Sequence, residues 1–230
     1  MSAKGFFITG TDTGVGKTVV AAALVRSLVA AGFRTAVMKP VASGSERTSQ
    51  GLRNEDALTL MAASNVAAPY ETVNPYCFEP AISPHIAAEE AGIEVDIAQI
   101  QRNLAALAAK SDWVVVEGAG GWLAPIGPHQ SIRDLALALE LPVVVVVGVR
   151  LGCINHALLT KLAIETHGAR FAGWVANTID PQMPRLAENL ETLARLLGKP
   201  PLTTVPALSS SAPALQLSEA TAQLIRAFAA

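Results

Sequence analysis

Little in this sequence invites a nucleic acid, a membrane or a disulfide framework. Lysine and arginine number 17 against 19 aspartates and glutamates, a net charge of −2, and no basic block occurs anywhere along the chain. Binding to a nucleic acid needs clustered cations that neutralise phosphates, so that class is excluded. No stretch approaches the roughly 18 uninterrupted apolar residues of a spanning helix. The N-terminus passes straight into a strand-like segment instead of a signal peptide, so the expected location is the cytoplasm. Cysteine is scarce: Cys77 and Cys153 are the only two, and their spacing fits no metal site. In a reducing compartment such thiols read as small buried hydrophobes. No internal repeat, low-complexity linker or domain boundary interrupts the chain, and 1–230 reads as one domain.

What is present is apolar and rhythmic. Hydrophobic residues make up 51% of the chain, in short runs punctuated by Gly and Pro. The runs Phe6–Thr9, Thr35–Lys39, Trp113–Glu117, Val143–Val149, Gly173–Asn177 and Thr203–Val205 predict strands. Several are continuous and Val-rich, as expected where both sheet faces are covered. Between them lie predicted helices at Lys17–Ala31, Glu55–Ser64, Asp96–Lys110, Ile132–Leu139, Ile154–His167, Met183–Leu197 and Ala214–Ala229. Gly32 and Gly198 provide the stops of two of these. Alternating strands and helices predict an α/β fold with a doubly wound, mostly parallel sheet and helices on both faces. Ligands of such sheets collect beyond the carboxyl ends of the strands, where Lys39, Glu117 and Asn177 fall.

The strongest motif is Gly10-Thr11-Asp12-Thr13-Gly14-Val15-Gly16-Lys17-Thr18. It follows an apolar strand and opens a helix, the context that a phosphate-binding loop requires. Its amides can converge on phosphate oxygens at a helix N-terminus. Lys17 can reach the β/γ-phosphates, and the Thr18 hydroxyl can meet Mg²⁺. The strict pattern places a glycine at position 11, where this chain has Thr11; Gly10 lies one further back.

A nucleotide site of this type needs carboxylate help to hold Mg²⁺. Glu117 ends the run Val114-Val115-Val116 and leads into a glycine-rich loop. Asp56 reads equally well as a helix-start residue favoured by the dipole. Lys39 closes a strand just before Pro40, so it either faces the crevice, where it can stabilise developing negative charge, or snorkels outward. Ser43 can meet a substrate or complete a turn.

Together these residues resemble the dethiobiotin synthetase family. The resemblance rests on Gly10-Thr11-Asp12-Thr13, Val15-Gly16-Lys17-Thr18, Lys39-Pro40-Val41-Ala42-Ser43-Gly44 and Glu117-Gly118-Ala119-Gly120-Gly121-Trp122. It continues through Val73-Asn74-Pro75-Tyr76, Ser83-Pro84-His85, Leu151-Gly152-Cys153-Ile154-Asn155-His156 and Gly173-Trp174-Val175-Ala176-Asn177, and so spans the chain. It implies a P-loop NTPase fold and ring closure of 7,8-diaminopelargonic acid with CO₂ or bicarbonate and ATP. The implied intermediates are a carbamate and a carbamic-phosphoric anhydride.

Carried over by position, Thr18, Asp56 and Glu117 match Mg²⁺ ligands. Gly14, Val15, Gly16, Lys17, Thr18 and Val19 match the triphosphate loop, and Glu117, Gly118, Ala119 and Gly120 also line the nucleotide. Lys39 and Lys17 match the catalytic cations, and Thr11 and Ser43 the substrate side. Asn177, with Thr178, matches the adenine reader, joined by Pro206, Ala207 and Leu208. Gly152, Cys153 and Asn155 match the turn with which a neighbouring subunit receives the substrate carboxylate, which implies a homodimer with its site at the interface. His85 is left out, because Ser83 as N-cap with Pro84 at the first helical position explains that motif.

Two other readings compete. An amidoligase of the cobyrinate type shares this fold, but usually carries a glutamine-hydrolysing domain with a Cys/His arrangement that this chain lacks. A partitioning or septum-placement ATPase would favour a second lysine early in the loop, where Thr11 and Asp12 stand. It would also favour a basic amphipathic terminal helix, whereas Ala214–Ala229 holds Arg226 as its one cation.

Overall fold

The computed structural model describes residues 4–207 and 217–228. In chain order the first half comprises β1 (Lys4–Gly10), α1 (Lys17–Ala30), β2 (Thr35–Met38), β3 (Val41–Ala42), β4 (Glu46–Thr48), β5 (Gly51–Arg53), α2 (Glu55–Ala63), α3 (Tyr70–Val73), β6 (Tyr76–Cys77), α4 (Pro84–Glu90) and α5 (Ile97–Ala108). The second half comprises β7 (Trp113–Gly121), α6 (Ile132–Leu139), β8 (Val143–Val149), α7 (Cys153–Thr166), β9 (Phe171–Thr178), α8 (Leu186–Leu197), β10 (Thr204–Val205) and α9 (Ser218–Phe228).

Six strands form the central sheet in the order β10-β9-β8-β1-β7-β2, and every neighbouring pair runs parallel. Why the valine run of β8 does not alternate is visible in its packing. Val143, Val145, Val147 and Val149 face one core, built with α5, α6, α7 and α8, while Val144 and Val146 face a second core with α1, α2 and α9. Burial on both faces removes any need for polar positions within the strand. Phe6 and Phe7 of β1 divide between the two cores in the same way.

The strands and helices of the central layers lie within a few residues of their sequence predictions. Gly32 and Gly198 adopt φ of 89° and 77° at the ends of α1 and α8. The predicted start of α8 at Met183 moves to Leu186, because Arg185 takes a left-handed conformation as its N-cap. Of the predicted terminal helix, residues 214–216 and Ala229 lie outside the described residues.

Three features had no counterpart in the sequence reading: the two-stranded pairs β3-β6 and β4-β5 and the single-turn helix α3. Ser83 is the N-cap of α4 with Pro84 in its first turn, but the serine side chain makes no capping hydrogen bond. β1 lies between β7 and β8, so the loop leaving its C-terminal end opens at the centre of the sheet.

Candidate functional site

The phosphate-type loop is held by shape. A Cβ on Gly10 would come within 2.6 Å of Val15 Cγ2, and one on Gly148 within 2.8 Å of Val15 Cγ1. The two glycines thus form a slot for the Val15 side chain. Gly14 and Gly16 have φ of 73° and 85°, which glycine adopts without strain. Thr11 needs no such freedom: the non-glycine residues with positive φ among those described are Glu140 and Arg185. That is the physical reason a threonine can stand where the strict pattern has glycine. The loop ends on Gly16, which has no side chain to cap α1, so the first amides of the helix are left for an anion.

Around this loop the topology gathers two lysines and two carboxylates. Lys39, just after β2, is 3% exposed. Its Nζ donates to Glu117 Oε1 at 2.6 Å, to Asp56 Oδ2 at 2.9 Å and to the Gly118 carbonyl at 3.3 Å. It does not snorkel. Thr18 Oγ1 donates to the same Glu117 oxygen at 2.9 Å, and Lys17 Nζ donates to the Asp12 carbonyl at 2.8 Å. Asp56 lies in the first turn of α2, but the cap of that helix is Asn54, whose side chain accepts from the Ala57 amide. The carboxylate of Asp56 is therefore spared from capping and turns to Lys39.

Burial opposes the charge of Lys39, yet Glu117 and Asp56 raise its pKa above the ordinary lysine value. Burial also opposes the charge of Asp56, but the ammonium of Lys39 outweighs it and the carboxyl stays below its usual range. Lys17 goes the other way. Burial, then repulsion from Lys39, lowers it to about 8, against the pull of Glu117, Asp56 and Asp12. Glu117 Oε2 is buried and has no hydrogen-bond partner. A buried carboxylate oxygen without a donor is costly and is where a cation would be welcome. Thr18, Asp56 and Glu117 supply only hard oxygen donors, which suits Mg²⁺ with phosphate and water oxygens completing its shell.

A cleft of about 1020 Å³ opens over these groups. Of the sequence-predicted residues, Thr11, Gly14, Gly16, Lys17, Thr18, Val19, Lys39, Ser43, Asp56, Glu117, Ala119 and Gly120 line it. Val15 and Gly118 serve from behind, Val15 in its slot and Gly118 through its carbonyl on Lys39. Asn177 and Thr178 are buried at the end of β9, and Asn177 Nδ2 donates to the Val15 carbonyl at 2.8 Å.

Pro206 and Ala207 are exposed just beyond β10; Leu208 lies outside the described residues. Gly152, Cys153 and Asn155 begin α7 and do not line the cleft. Cys153 is buried, and its amide donates to the Arg150 carbonyl within the turn. The sequence reading missed three walls of the cleft: residues 81–84, residues 122–125 and the α7 residues Leu159, Thr160 and Ala163. Ser83-Pro84 and Trp122 sat inside quoted motifs, but no chemical signal marked the others.

Residues 4–214 match a family described as AAA domain. The chain is 54% identical over 210 residues to ATP-dependent dethiobiotin synthetase BioD of Pseudomonas paraeruginosa (strain DSM 24068 / PA7), covering 91% of this chain and 92% of that one. It is 50% identical over 206 residues to the protein of that name from Yersinia pestis bv. Antiqua (strain Angola), covering 90% and 86%. Among solved structures, the MinC:MinD cell division protein complex of Aquifex aeolicus matches with a TM-score of 0.60 at 16% identity, over 98% of this chain and 95% of that one. A ParA family ATPase from Chlorobium tepidum TLS matches at 0.57 and 13%, over 98% and 93%. These two likenesses carry the P-loop NTPase fold and no more.

Proposed function

The chain belongs to the family of ATP-dependent dethiobiotin synthetases, and from that premise we propose that it closes the ureido ring of dethiobiotin from 7,8-diaminopelargonic acid, CO₂ and ATP. One amine adds to CO₂ and loses a proton, giving a carbamate. A carbamate oxygen attacks the γ-phosphorus, the bond to ADP breaks, and a carbamic-phosphoric anhydride forms. The second amine then attacks the carbonyl carbon and phosphate leaves with the bridging oxygen.

The observation that carries this reading is the buried group around Lys39, which lines the same cleft as the phosphate loop and meets Thr18 on one Glu117 oxygen. Its raised pKa keeps Lys39 a cation, so it serves as a fixed positive charge for the carbamate and the developing anion, not as a base. Lys17 stands in the loop to meet the transferred phosphoryl group. Thr18, Asp56 and Glu117 would hold Mg²⁺, which when bound neutralises phosphate charge; the orphaned Glu117 Oε2 supports that assignment. The backbone of residues 117–120 and the amides of residues 14–19 would cradle the triphosphate. Asn177, Thr178 and the 206–208 segment would take the base, with Thr11 and Ser43 on the diamine.

The turn at residues 152–155 would receive the substrate carboxylate from a second copy of the chain. Apolar side chains stand exposed on the same element: Leu151, just before the turn, is 89% exposed and Leu162, farther along α7, is 61% exposed, which supports an interface there. The test of function is phosphate release from Mg·ATP and bicarbonate, with and without the diamine, with mass detection of the product. Diamine-dependent release matched by dethiobiotin is expected. Slow release indifferent to the diamine would instead favour a partitioning-type ATPase.

A further inference from the structure

Asn177 occupies an odd position for a residue that would only read a base. It lies at the last position but one of β9, two strands away from β1, and is 7% exposed. Its Nδ2 is committed to the Val15 carbonyl at 2.8 Å, across 162 residues of sequence. Its side chain also packs against the α-carbon of Gly16, so closely that a Cβ there would collide with Nδ2. The side chain of Val15 is meanwhile seated between Gly10 of β1 and Gly148 of β8. One peptide is thus fixed from three strands: the Val15 side chain by β1 and β8, its carbonyl by β9.

That peptide is the one that must be fixed. Gly16 sits at φ 85°, ψ 31°, offers no side-chain cap, and precedes the free amides of α1. Local bonds engage the Gly16 carbonyl, from the Val20 amide at 3.1 Å, and the Asp12 carbonyl, from Lys17 Nζ at 2.8 Å, whereas the Val15 carbonyl, in a peptide that glycine leaves free to turn, is held by Asn177. The geometry points to Asn177 as a positioning residue for the phosphate loop: its amide holds the Val15–Gly16 peptide in the orientation from which the first turn of α1 meets phosphate oxygens. This rests on the nucleotide-site reading above and extends it. With one Nδ2 hydrogen engaged on the loop, Asn177 keeps its second hydrogen and Oδ1 for a base. Base recognition and phosphate cradling then meet in a single side chain.

A base-free ligand separates the two roles. Inorganic tripolyphosphate with Mg²⁺ presents the phosphate chain and no base, and its binding is measured by calorimetry beside that of Mg·ATP. Asn177→Ala is expected to weaken tripolyphosphate by about tenfold, the scale of one buried hydrogen bond, and Mg·ATP by at least as much, because the contacts to the base go with it. If the variant loses affinity for ATP while tripolyphosphate binds as in the unaltered protein, Asn177 serves the base alone and the proposal falls. Unaltered protein that binds neither ligand would overturn the nucleotide-site reading, and this proposal with it.

Asn177→Asp provides a second measurement that does not depend on the alanine variant folding. It keeps the side-chain volume but removes the donor. Hydrogen exchange without any ligand should then quicken at the amides of Gly16, Lys17 and Thr18. Unchanged exchange there would also overturn the proposal.

Discussion

At the scale of single residues, charge and burial decide what each group can do. Two lysines and two carboxylates share one pocket, and removing either member of a buried pair leaves the other uncompensated. Lys39→Ala is expected to lower turnover by roughly two to three orders of magnitude, the scale of losing one preorganised charge at a transition state. Its thermal unfolding is measured alongside, since Glu117 would lose its cation; near-normal turnover would remove Lys39 from the chemistry. Asp56→Asn should raise the Mg²⁺ concentration needed for nucleotide binding, and an unchanged metal titration would leave Asp56 with only its ion pair.

Of the two lysines in the site, Lys17 is the one that burial leaves easier to deprotonate. In the free protein its pKa is lowered to about 8, and phosphate oxygens beside the ammonium would raise it. The bound state therefore holds more protons than the free state above that pH, and affinity for ATP should fall as pH rises through about 8. Calorimetry on the alkaline side of that value, in buffers of different ionisation heat, should register proton uptake. Proton release, or affinity that rises with pH there, would contradict this.

Among the elements, the longer ones were legible in the sequence; of the short ones, β10 and the start of α4 were, and β3 to β6 and α3 were not. β1, β7, β8 and β9 are apolar runs whose length and valine content announce burial on both faces. β3, β4, β5 and β6 span two or three residues each, too few to show any period, and α3 is a single turn. The same limit applies to the site. The phosphate loop is contiguous, so its motif declares it. Lys39, Asp56 and Glu117 are 78 residues apart at their extremes and meet only because β2 pairs with β7 and α2 follows close behind. From spacing alone, Asp56 could not be told from an ordinary first-turn carboxylate. The packing of elements also predicts a loss of function at a distance. Gly148→Ala would push its Cβ to 2.8 Å from Val15 Cγ1, and overpacking of this kind costs about 1–3 kcal/mol. Displacement of Val15 should weaken ATP binding, measured by calorimetry, while leaving every proposed ligand in the cleft unaltered.

At the scale of the whole molecule, α7 presents apolar side chains to solvent. Leu151, Leu159 and Leu162 stand exposed along and before it, and the turn at residues 152–155 would serve a second copy of the chain. Leu162→Asp is expected to shift the protein from dimer to monomer in sedimentation and to depress turnover with the diamine. Binding of Mg·ATP should persist, because the phosphate loop lies within one chain. A monomeric native protein with full activity would remove the shared site. For the reaction itself, isotope labelling follows the oxygen that passes from the carbamate to phosphate. With ¹⁸O-labelled bicarbonate, unlabelled ATP and the diamine, and a reaction time short against exchange with water, the account predicts one ¹⁸O in the released phosphate for each dethiobiotin formed. Dethiobiotin accompanied by unlabelled phosphate would contradict the carbamic-phosphoric anhydride.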